Sequence, residues 1–151
     1  MERQDGDISR ADLLARMGTI PGSAPVEERG DGLWMAAPQL DVEAMAREME
    51  SLGCRLITMT GLARDDGETT IIYHYARRHE AINFKTATSG GAAKSLAPLI
   101  RPASWIEREI HDFFAVDFIG HPNLVPLMRP PELKDGFFRD PDPSSTTPAK
   151  Q

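Results

Sequence analysis

The sequence predicts a two-layer α+β domain, in which helices cover a mainly antiparallel sheet of about four strands and an irregular, proline-rich C-terminal extension follows. Three apolar or β-branched segments joined by short connections, at residues 54–62, 69–76 and 80–87, predict an antiparallel meander. Amphipathic helical segments on both sides of the meander can cover one face of such a sheet. Six prolines after residue 122 prevent regular secondary structure in the extension.

The elements before the meander are indicated by helix caps and turn residues. Ser9 can cap a short helix that ends at Gly18. Residues 20–31 contain prolines, glycines and a charge cluster, and they are predicted to form a loop. A short strand is expected at residues 33–37. Asp41 then caps a longer helix that carries apolar residues along one face and ends near a glycine.

Two further helices are predicted after the meander. Residues 92–100 can form the first, interrupted at Pro98. The second begins at Ser104, where Glu107 three residues later gives the pattern of a capping box. This second helix is expected to continue towards Gly120, where a flexible residue followed by His-Pro forces a turn.

The second of these helices has two chemically different sides. Its apolar residues recur at helical spacing and are expected to pack against the sheet: Ile106, Ile110, Phe113 and Phe114. The polar side is expected to hold two i,i+4 pairs, Arg108 with Asp112 and Glu107 with His111. Trp105 projects towards the same polar side, which is unusual for so large a ring.

Length and composition are those of one globular domain with flexible ends. The 151 residues include 40% apolar and 26% charged residues, and the net charge of −6 argues against nucleic acid or an anionic membrane as a direct partner. No apolar segment approaches the ~20 residues that are needed to cross a bilayer. Residues 1–5 lack an apolar signal region, so a cytoplasmic location is expected.

No set of residues has the spacing of a catalytic or metal-binding motif. Cys54 is the single cysteine, so this chain cannot form an internal disulfide or ligate an iron–sulfur cluster through several cysteines. Glu107 and His111 supply too few ligands for a metal and are more simply part of a charged helix face. Residues 90–95 lack the spacing of a phosphate-binding loop. The sequence therefore predicts no catalytic site, metal or cofactor in this chain.

Residues 104–122 resemble a family signature. Glu107-Arg108-Glu109-Ile110-x-Asp112-x-Phe114, followed by Gly120-His121-Pro122, resembles the signature of the C-type subunit of respiratory NADH:quinone dehydrogenase (complex I). The same module occurs in the related membrane-bound, energy-converting nickel–iron hydrogenases and formate hydrogenlyases. Two departures stand out: Ala115-Val116 replaces the usual Gly-Ile, and residues 136–140 match the usual His-Pro-Leu-Arg-Lys-Asp only loosely.

The resemblance implies a non-catalytic structural and assembly subunit in the hydrophilic arm of a membrane-associated oxidoreductase. Its expected partners are the large catalytic or quinone-site subunit and the iron–sulfur subunits, which would hold the iron–sulfur clusters and any nickel–iron centre. Membrane contact would be indirect, on the cytoplasmic face. The short chain and altered downstream motif favour the hydrogenase branch; the C-type subunit of NADH:quinone oxidoreductase and a stand-alone protein-binding module are the alternatives.

The chain is expected to divide into a short helix and loop at residues 1–31, the α+β domain at 32–121, and a proline-rich extension with a disordered tail at 122–151. Partners are expected to order residues 122–140. An exposed Trp beside Arg is typical of interface hot spots; alternatively, the segment after residue 122 folds back over the Trp. The expected interface residues are Trp105, Glu107, Arg108, Glu109, Asp112, His121, Pro122, Phe137, Phe138 and Arg139.

Overall fold

The computed structural model describes residues 8–139, which form a five-stranded sheet, a two-stranded ladder and three helices. The elements in chain order are α1 (Arg10–Met17), β1 (Val26–Arg29), β2 (Gly32–Ala36), α2 (Val42–Ser51), β3 (Arg55–Ala63), β4 (Thr69–Arg77), β5 (Glu80–Ala87), β6 (Ala92–Lys94), α3 (Ala103–Phe114) and β7 (Asp117–Ile119). The predicted α+β class and the mainly antiparallel sheet are confirmed.

The large sheet has the strand order β1-β2-β5-β4-β3. The meander β3-β4-β5 is antiparallel, as its short connections predict, whereas β2 pairs in parallel with β5. The loop predicted at residues 20–31 is wrong in part, because β1 pairs antiparallel with β2 there. This fifth strand has the sequence Val-Glu-Glu-Arg and is mostly exposed, so it lacks the apolar alternation by which strands are recognised.

All three helices bury residues in one core on a single face of the large sheet. Ser9 and Asp41 cap α1 and α2 as predicted, each accepting a hydrogen bond from a first-turn amide. α1 belongs to the same core as the later elements. The principal core residues are Leu13, Met17, Leu33, Met35, Met45, Met49, Tyr73, Tyr75, Ile82, Phe84 and Ile110.

The alternate residues of the strands point away from this core and form the outer sheet face. Trp34, His74 and Lys85 belong to this face, because each alternates with core residues along its strand. His74 Nδ1 lies 2.7 Å from Asn83 Oδ1, and its Nε2 lies 2.9 Å from Thr60 Oγ1. Within residues 8–139, no helix packs on this face.

The helix predicted at residues 92–100 is wrong. β6 occupies its beginning and pairs in parallel with β7, after which Ser95, Leu96 and Ala97 are buried in an irregular turn. The amides of Leu96 and Ala97 are bound by side-chain oxygens instead of helical carbonyls. These bonds satisfy the first two amides of the turn, and the Leu99 and Ile100 amides then donate to the Leu96 carbonyl at 2.9 and 2.8 Å, a single turn that does not continue as a helix.

α3 ends earlier than predicted. Its last helical residue is Phe114, and Ala115 adopts the left-handed conformation with φ 55° and ψ 31°. The chain then enters β7 and turns at Gly120, which has φ 85°. Ile110 is buried as predicted, whereas Phe114 is only partly buried against Gly61. The left-handed residue stops the helix because it breaks the repeating hydrogen-bond geometry.

Residues 123–139, here called the C-terminal strap, pack on α3 of the same chain. The Phe138 amide donates to the Phe113 carbonyl at 3.0 Å, and the Gly136 amide donates to the Asp112 carbonyl at 2.8 Å. The expectation that partners order this segment is therefore wrong for residues 123–139, although the strap is irregular as its prolines predict. The predicted disorder of residues 144–151 lies outside the described residues.

Candidate functional site

Glu107, in the family-like signature on α3, faces inward and is fully buried. Its Oε2 accepts a hydrogen bond from Ser95 Oγ at 2.6 Å, and its Oε1 accepts one from the Leu96 amide at 2.6 Å. The predicted capping box is wrong, because α3 begins before Ser104 and has no side-chain cap. Burial raises the pKa of Glu107, and the hydrogen bonds from Ser95 and Leu96 oppose that shift.

His121 fixes the turn that follows β7. The Asn123 amide donates to His121 Nδ1 at 2.9 Å, so the proton of the neutral ring lies on Nε2. Nε2 lies 3.1 Å from the Ser104 carbonyl and 3.9 Å from Glu107 Oε2. The ring is fully buried between these groups, whereas Pro122 beside it is exposed.

Asp112 binds the C-terminal strap. Its Oδ2 accepts hydrogen bonds from the amides of Leu127, Met128 and Arg129 at 2.9, 3.1 and 3.2 Å. Burial raises the pKa of Asp112, but the three amides and the Arg129 guanidinium, 3.6 Å away, outweigh burial and lower it. The predicted ion pair between Asp112 and Arg108 is therefore wrong.

Arg108 also binds the strap. Its Nε donates to the Val125 carbonyl and its Nη2 to the Pro126 carbonyl, both at 2.9 Å. The guanidinium carbon lies 5.9 Å from the centre of the Trp105 ring, which confirms the predicted proximity of these two residues. The predicted pair between Glu107 and His111 is wrong, because His111 Nδ1 lies 2.8 Å from the Val116 carbonyl.

Together α3 and the strap form an exposed apolar surface, here called the α3–strap surface. It consists of Trp105, Val125 and Met128, which are 66%, 44% and 71% exposed. The segment after residue 122 does fold back onto α3, where it binds Arg108. It does not cover the indole ring of Trp105, as the alternative prediction required. Glu109 is partly exposed on the same helix and makes no hydrogen bond or ion pair within residues 8–139.

The end of the strap forms an aromatic cluster at the end of α3. The ring centres of Phe113 and Phe137 are 5.2 Å apart, and those of Phe113 and Phe138 are 4.6 Å apart. Arg139 donates to the Phe114 carbonyl and to Thr69 Oγ1 at the start of β4. The predicted interface residues Phe137, Phe138 and Arg139 therefore make contacts within their own chain, although Phe138 remains largely exposed.

Sequence reasoning missed Val125, Met128 and the anchor residue Ser95. The first two lie among prolines without periodicity, so no pattern distinguishes a packed strap from an unstructured tail. Within the described part of the chain, no cluster of three or more His, Cys, Asp or Glu residues could hold a metal ion. No helix in that part is long and apolar enough to span a membrane.

The fold and this surface define a class of protein: a small α+β domain whose signature carboxylates fix its own backbone while an apolar surface faces outwards. Residues 36–144 match the family model described as the respiratory-chain NADH dehydrogenase, 30 Kd subunit. This match covers well over half of the chain, and the chain belongs to that family.

Similar proteins come from respiratory complexes. The C/D-type subunit of NADH-quinone oxidoreductase from Pseudomonas fluorescens is 29% identical over 107 residues, which cover 68% of this chain and 18% of that protein. The trypsin-resistant fragment of Nqo5 has a similar fold, with a TM-score of 0.56 and 24% identity over 68% of this chain and 90% of the fragment. A chain of the archaeal membrane-bound sulfane sulfur reductase also has a similar fold, with a TM-score of 0.63 and 19% identity over 72% of this chain and 69% of that chain. This chain thus spans about a fifth of the C/D relative.

Proposed function

We propose that this chain is a non-catalytic structural and assembly subunit in the hydrophilic arm of a membrane-associated respiratory oxidoreductase. The burial of two of the three signature carboxylates, Glu107 and Asp112, carries the proposal. On α3, Glu107 and Asp112 are each fully buried and bound to backbone amides of their own chain, and the third acidic residue, Glu109, is partly exposed and makes no hydrogen bond or ion pair within residues 8–139. A carboxylate without access to substrate cannot exchange a proton with it.

The partner in this proposal is the large catalytic or quinone-site subunit, and the α3–strap surface is the contact. The name of the Pseudomonas relative joins the letters C and D in one protein, which supports a D-type subunit as the immediate neighbour. Trp and Met are enriched at the centres of interfaces; Trp105 and Met128 are both largely exposed, and the Arg108 guanidinium lies 5.9 Å from the centre of the Trp105 ring.

The redox centres in this proposal lie in the partners. Iron–sulfur subunits would hold the clusters, this chain would hold no cofactor, and the assembly would bind the cytoplasmic face of the membrane through other subunits. We assign the chain to the branch of complex-I-related nickel–iron hydrogenases because its segment at residues 136–140 departs from the family motif. The C-type subunit of NADH:quinone oxidoreductase is the second candidate, supported by the C/D relative.

Affinity purification of the tagged chain from its native membrane fraction tests this assignment. We expect a large subunit and iron–sulfur subunits to co-purify, and nickel in the complex would identify the hydrogenase branch. A complex with NADH-oxidising subunits and no nickel would favour the second candidate. A chain that purifies alone, or that turns over a substrate by itself, would contradict the proposal.

Replacing Trp105 with Ala tests the docking surface. Because the ring is 66% exposed, the melting temperature of the isolated variant should stay close to that of the wild type. Loss of a hot-spot Trp should weaken partner binding by about 2 kcal/mol or more, or about 30-fold. Leu62→Ala, on the exposed edge strand β3, is the matched control and should leave binding unchanged. Unchanged partner binding by the Trp105 variant would exclude this surface.

A further inference from the structure

The large sheet ends in two edge strands, β1 and β3, which differ in how they are protected. β1 has four residues, three of them charged, and Pro25 directly precedes it. Short length, charge and proline are features that keep an edge from pairing with another strand. β3 has nine residues without proline or lysine, and its one charged residue, Arg55, stands at its start. The edge at β3 therefore lacks the protection that β1 has.

The regular part of this edge comprises residues 58–63 and is here called the β3 edge. The pairing with β4 is irregular between Leu56 and Thr58, and it is regular from there to the end of the strand. Within residues 8–139, β4 is the one strand that pairs with β3, so the other side of β3 is open. Ile57 and Leu62 are each 48% exposed, which shows that solvent reaches this side.

Three residues of the β3 edge direct their backbone groups towards the open side. The Arg64 amide donates to the Glu68 carbonyl at 3.0 Å, so the backbone of Arg64 faces β4. Hydrogen-bonding direction alternates from one residue to the next along an antiparallel strand. The amides and carbonyls of Met59, Gly61 and Ala63 therefore point away from β4 and are available to a further strand.

We propose that the β3 edge binds an extended segment of another subunit, which joins the large sheet as a sixth strand. An extended backbone offers donors and acceptors at the spacing of this edge, and main-chain hydrogen bonds supply the affinity in such strand addition. The segment lacks proline at its bonding positions, because proline has no amide to donate. The inference rests on the proposed function and gives the assembled chain a second contact besides the α3–strap surface.

α3 restricts which strand can bind. A Cβ on Gly61 would lie 2.7 Å from the Phe114 ring and 3.3 Å from Ile110 Cγ2, so α3 lies over the β3 edge. Pairing with β3 of a second copy would bring two α3 helices over strands about 5 Å apart, whereas packed helices need about 8–10 Å between their axes. The occupant is therefore a strand without a helix of its own on that face. Phe114 is only half-buried and can contact an apolar side chain of this strand.

Hydrogen–deuterium exchange tests the proposal on the full chain, both isolated and in the complex purified from its native membrane fraction. The amides of Met59, Gly61 and Ala63 should exchange at least about tenfold more slowly in the complex. The Thr60 and Leu62 amides, which face β4, should be protected alike in both. Equal exchange of the three open-side amides in an intact complex would overturn this proposal alone. A chain that purifies without partners would overturn it together with the proposed function.

Ala63→Pro provides the second arm, because it removes one open-side amide and no hydrogen bond to β4. The isolated variant should melt close to the wild type, whereas about tenfold less of it should be recovered in the complex. The matched control Ala63→Ser keeps the amide and should assemble as the wild type does. Leu62→Ala should also assemble normally, because main-chain groups supply the bonds.

Normal assembly of a folded Ala63→Pro chain would overturn the proposal. If that variant does not fold, the exchange measured on the wild-type chain decides. Open-side amides that become protected in the isolated chain as its concentration rises would also overturn the proposal, because the occupant would then be a second copy.

Discussion

Glu107 and Asp112 lie five residues apart on α3, are both fully buried, and have pKa values shifted in opposite directions. Burial dominates at Glu107, which two hydrogen bonds oppose without reversing the shift. At Asp112, three backbone amides and Arg129 reverse the effect of burial. The balance between burial and the interactions that oppose it therefore decides whether each carboxylate is more easily protonated or more easily ionised than in the unfolded chain.

Asp112→Ala should destabilise the isolated chain by about 3 kcal/mol or more, because three strap amides lose their acceptor.

The stability that Asp112 contributes should depend on pH. The pKa of Asp112 in the folded chain lies below the unfolded value of about 3.9, so this stabilisation is present above about pH 4 and is lost as the pH falls through the folded pKa. Urea titrations from pH 3 to pH 7 should show the wild-type advantage over Asp112→Asn shrinking in acid. Asp117→Asn, at an exposed position, is the control; an advantage independent of pH would contradict the role of the ionised carboxylate.

Glu107→Gln should show the opposite pH dependence. The folded pKa of Glu107 lies above the unfolded value of about 4.3, so its contribution is largest below about pH 4.3 and declines as the pH rises through the folded pKa. Glutamine keeps an acceptor for the Leu96 amide without a buried charge. Thermal melts between pH 4 and pH 8 should therefore show the variant gaining relative to the wild type as the pH rises. Parallel curves would exclude this assignment, and Glu109→Gln on the same helix serves as the control.

At the scale of elements, the contact between α3 and β3 depends on Gly61. A Cβ at this position would lie 2.7 Å from the Phe114 ring and 3.3 Å from Ile110 Cγ2. The absence of a side chain thus lets the helix approach the edge strand closely. It also explains how Phe114 can pack on β3 while remaining only partly buried.

Gly61→Ala should destabilise the chain by about 1–3 kcal/mol through overpacking. Phe114→Leu in the same chain should recover part of that loss, since the smaller side chain can move away from the new methyl group. Gly30→Ala is the matched control, because no atom lies within 4 Å of its added Cβ. Chemical denaturation of the four chains measures the coupling; additive effects of the two substitutions would show that α3 and β3 are not in this contact.

The residue that ends α3 differs from the one usual in the family. Ala115 adopts the left-handed conformation, which costs a non-glycine residue about 1–2 kcal/mol and is usually occupied by glycine. The family usually has Gly-Ile where this chain has Ala115-Val116. The helix ends at Ala115 nevertheless, because Val116 is buried and β7 pairs with β6 immediately afterwards.

At the scale of the whole molecule, Arg139 connects the strap to the sheet. It binds the last carbonyl of α3, at Phe114, and also Thr69 of β4. Arg139→Ala should lower the free energy of local strap opening by about 1–3 kcal/mol, because charged hydrogen bonds are lost.

Limited trypsin digestion of the isolated chain should then cut after Lys134 about tenfold faster in the Arg139 variant than in the wild type. The control is Arg47→Ala, which removes an exposed ion pair with Glu43 on α2 and should leave this cleavage unchanged. Equal rates in all three chains would mean that the strap is held without Arg139.

The sequence by itself determined the α+β class, the capped helices α1 and α2, the antiparallel meander and the family signature. These features depend on periodicity, caps and turns among residues that are close in the chain. It also placed Trp105 beside Arg108, since residues three apart on a helix share a side.

Only the tertiary structure decided what the signature residues bind. Local spacing predicted that Glu107 pairs with His111 and that Arg108 pairs with Asp112. In the structure, Glu107 accepts hydrogen bonds from Ser95 and Leu96, and Asp112 accepts them from the strap. A buried carboxylate needs several donors at once, and neighbouring side chains on an exposed helix face offer few. Those donors come from backbone segments that only folding brings to α3, so no spacing along the chain could reveal them.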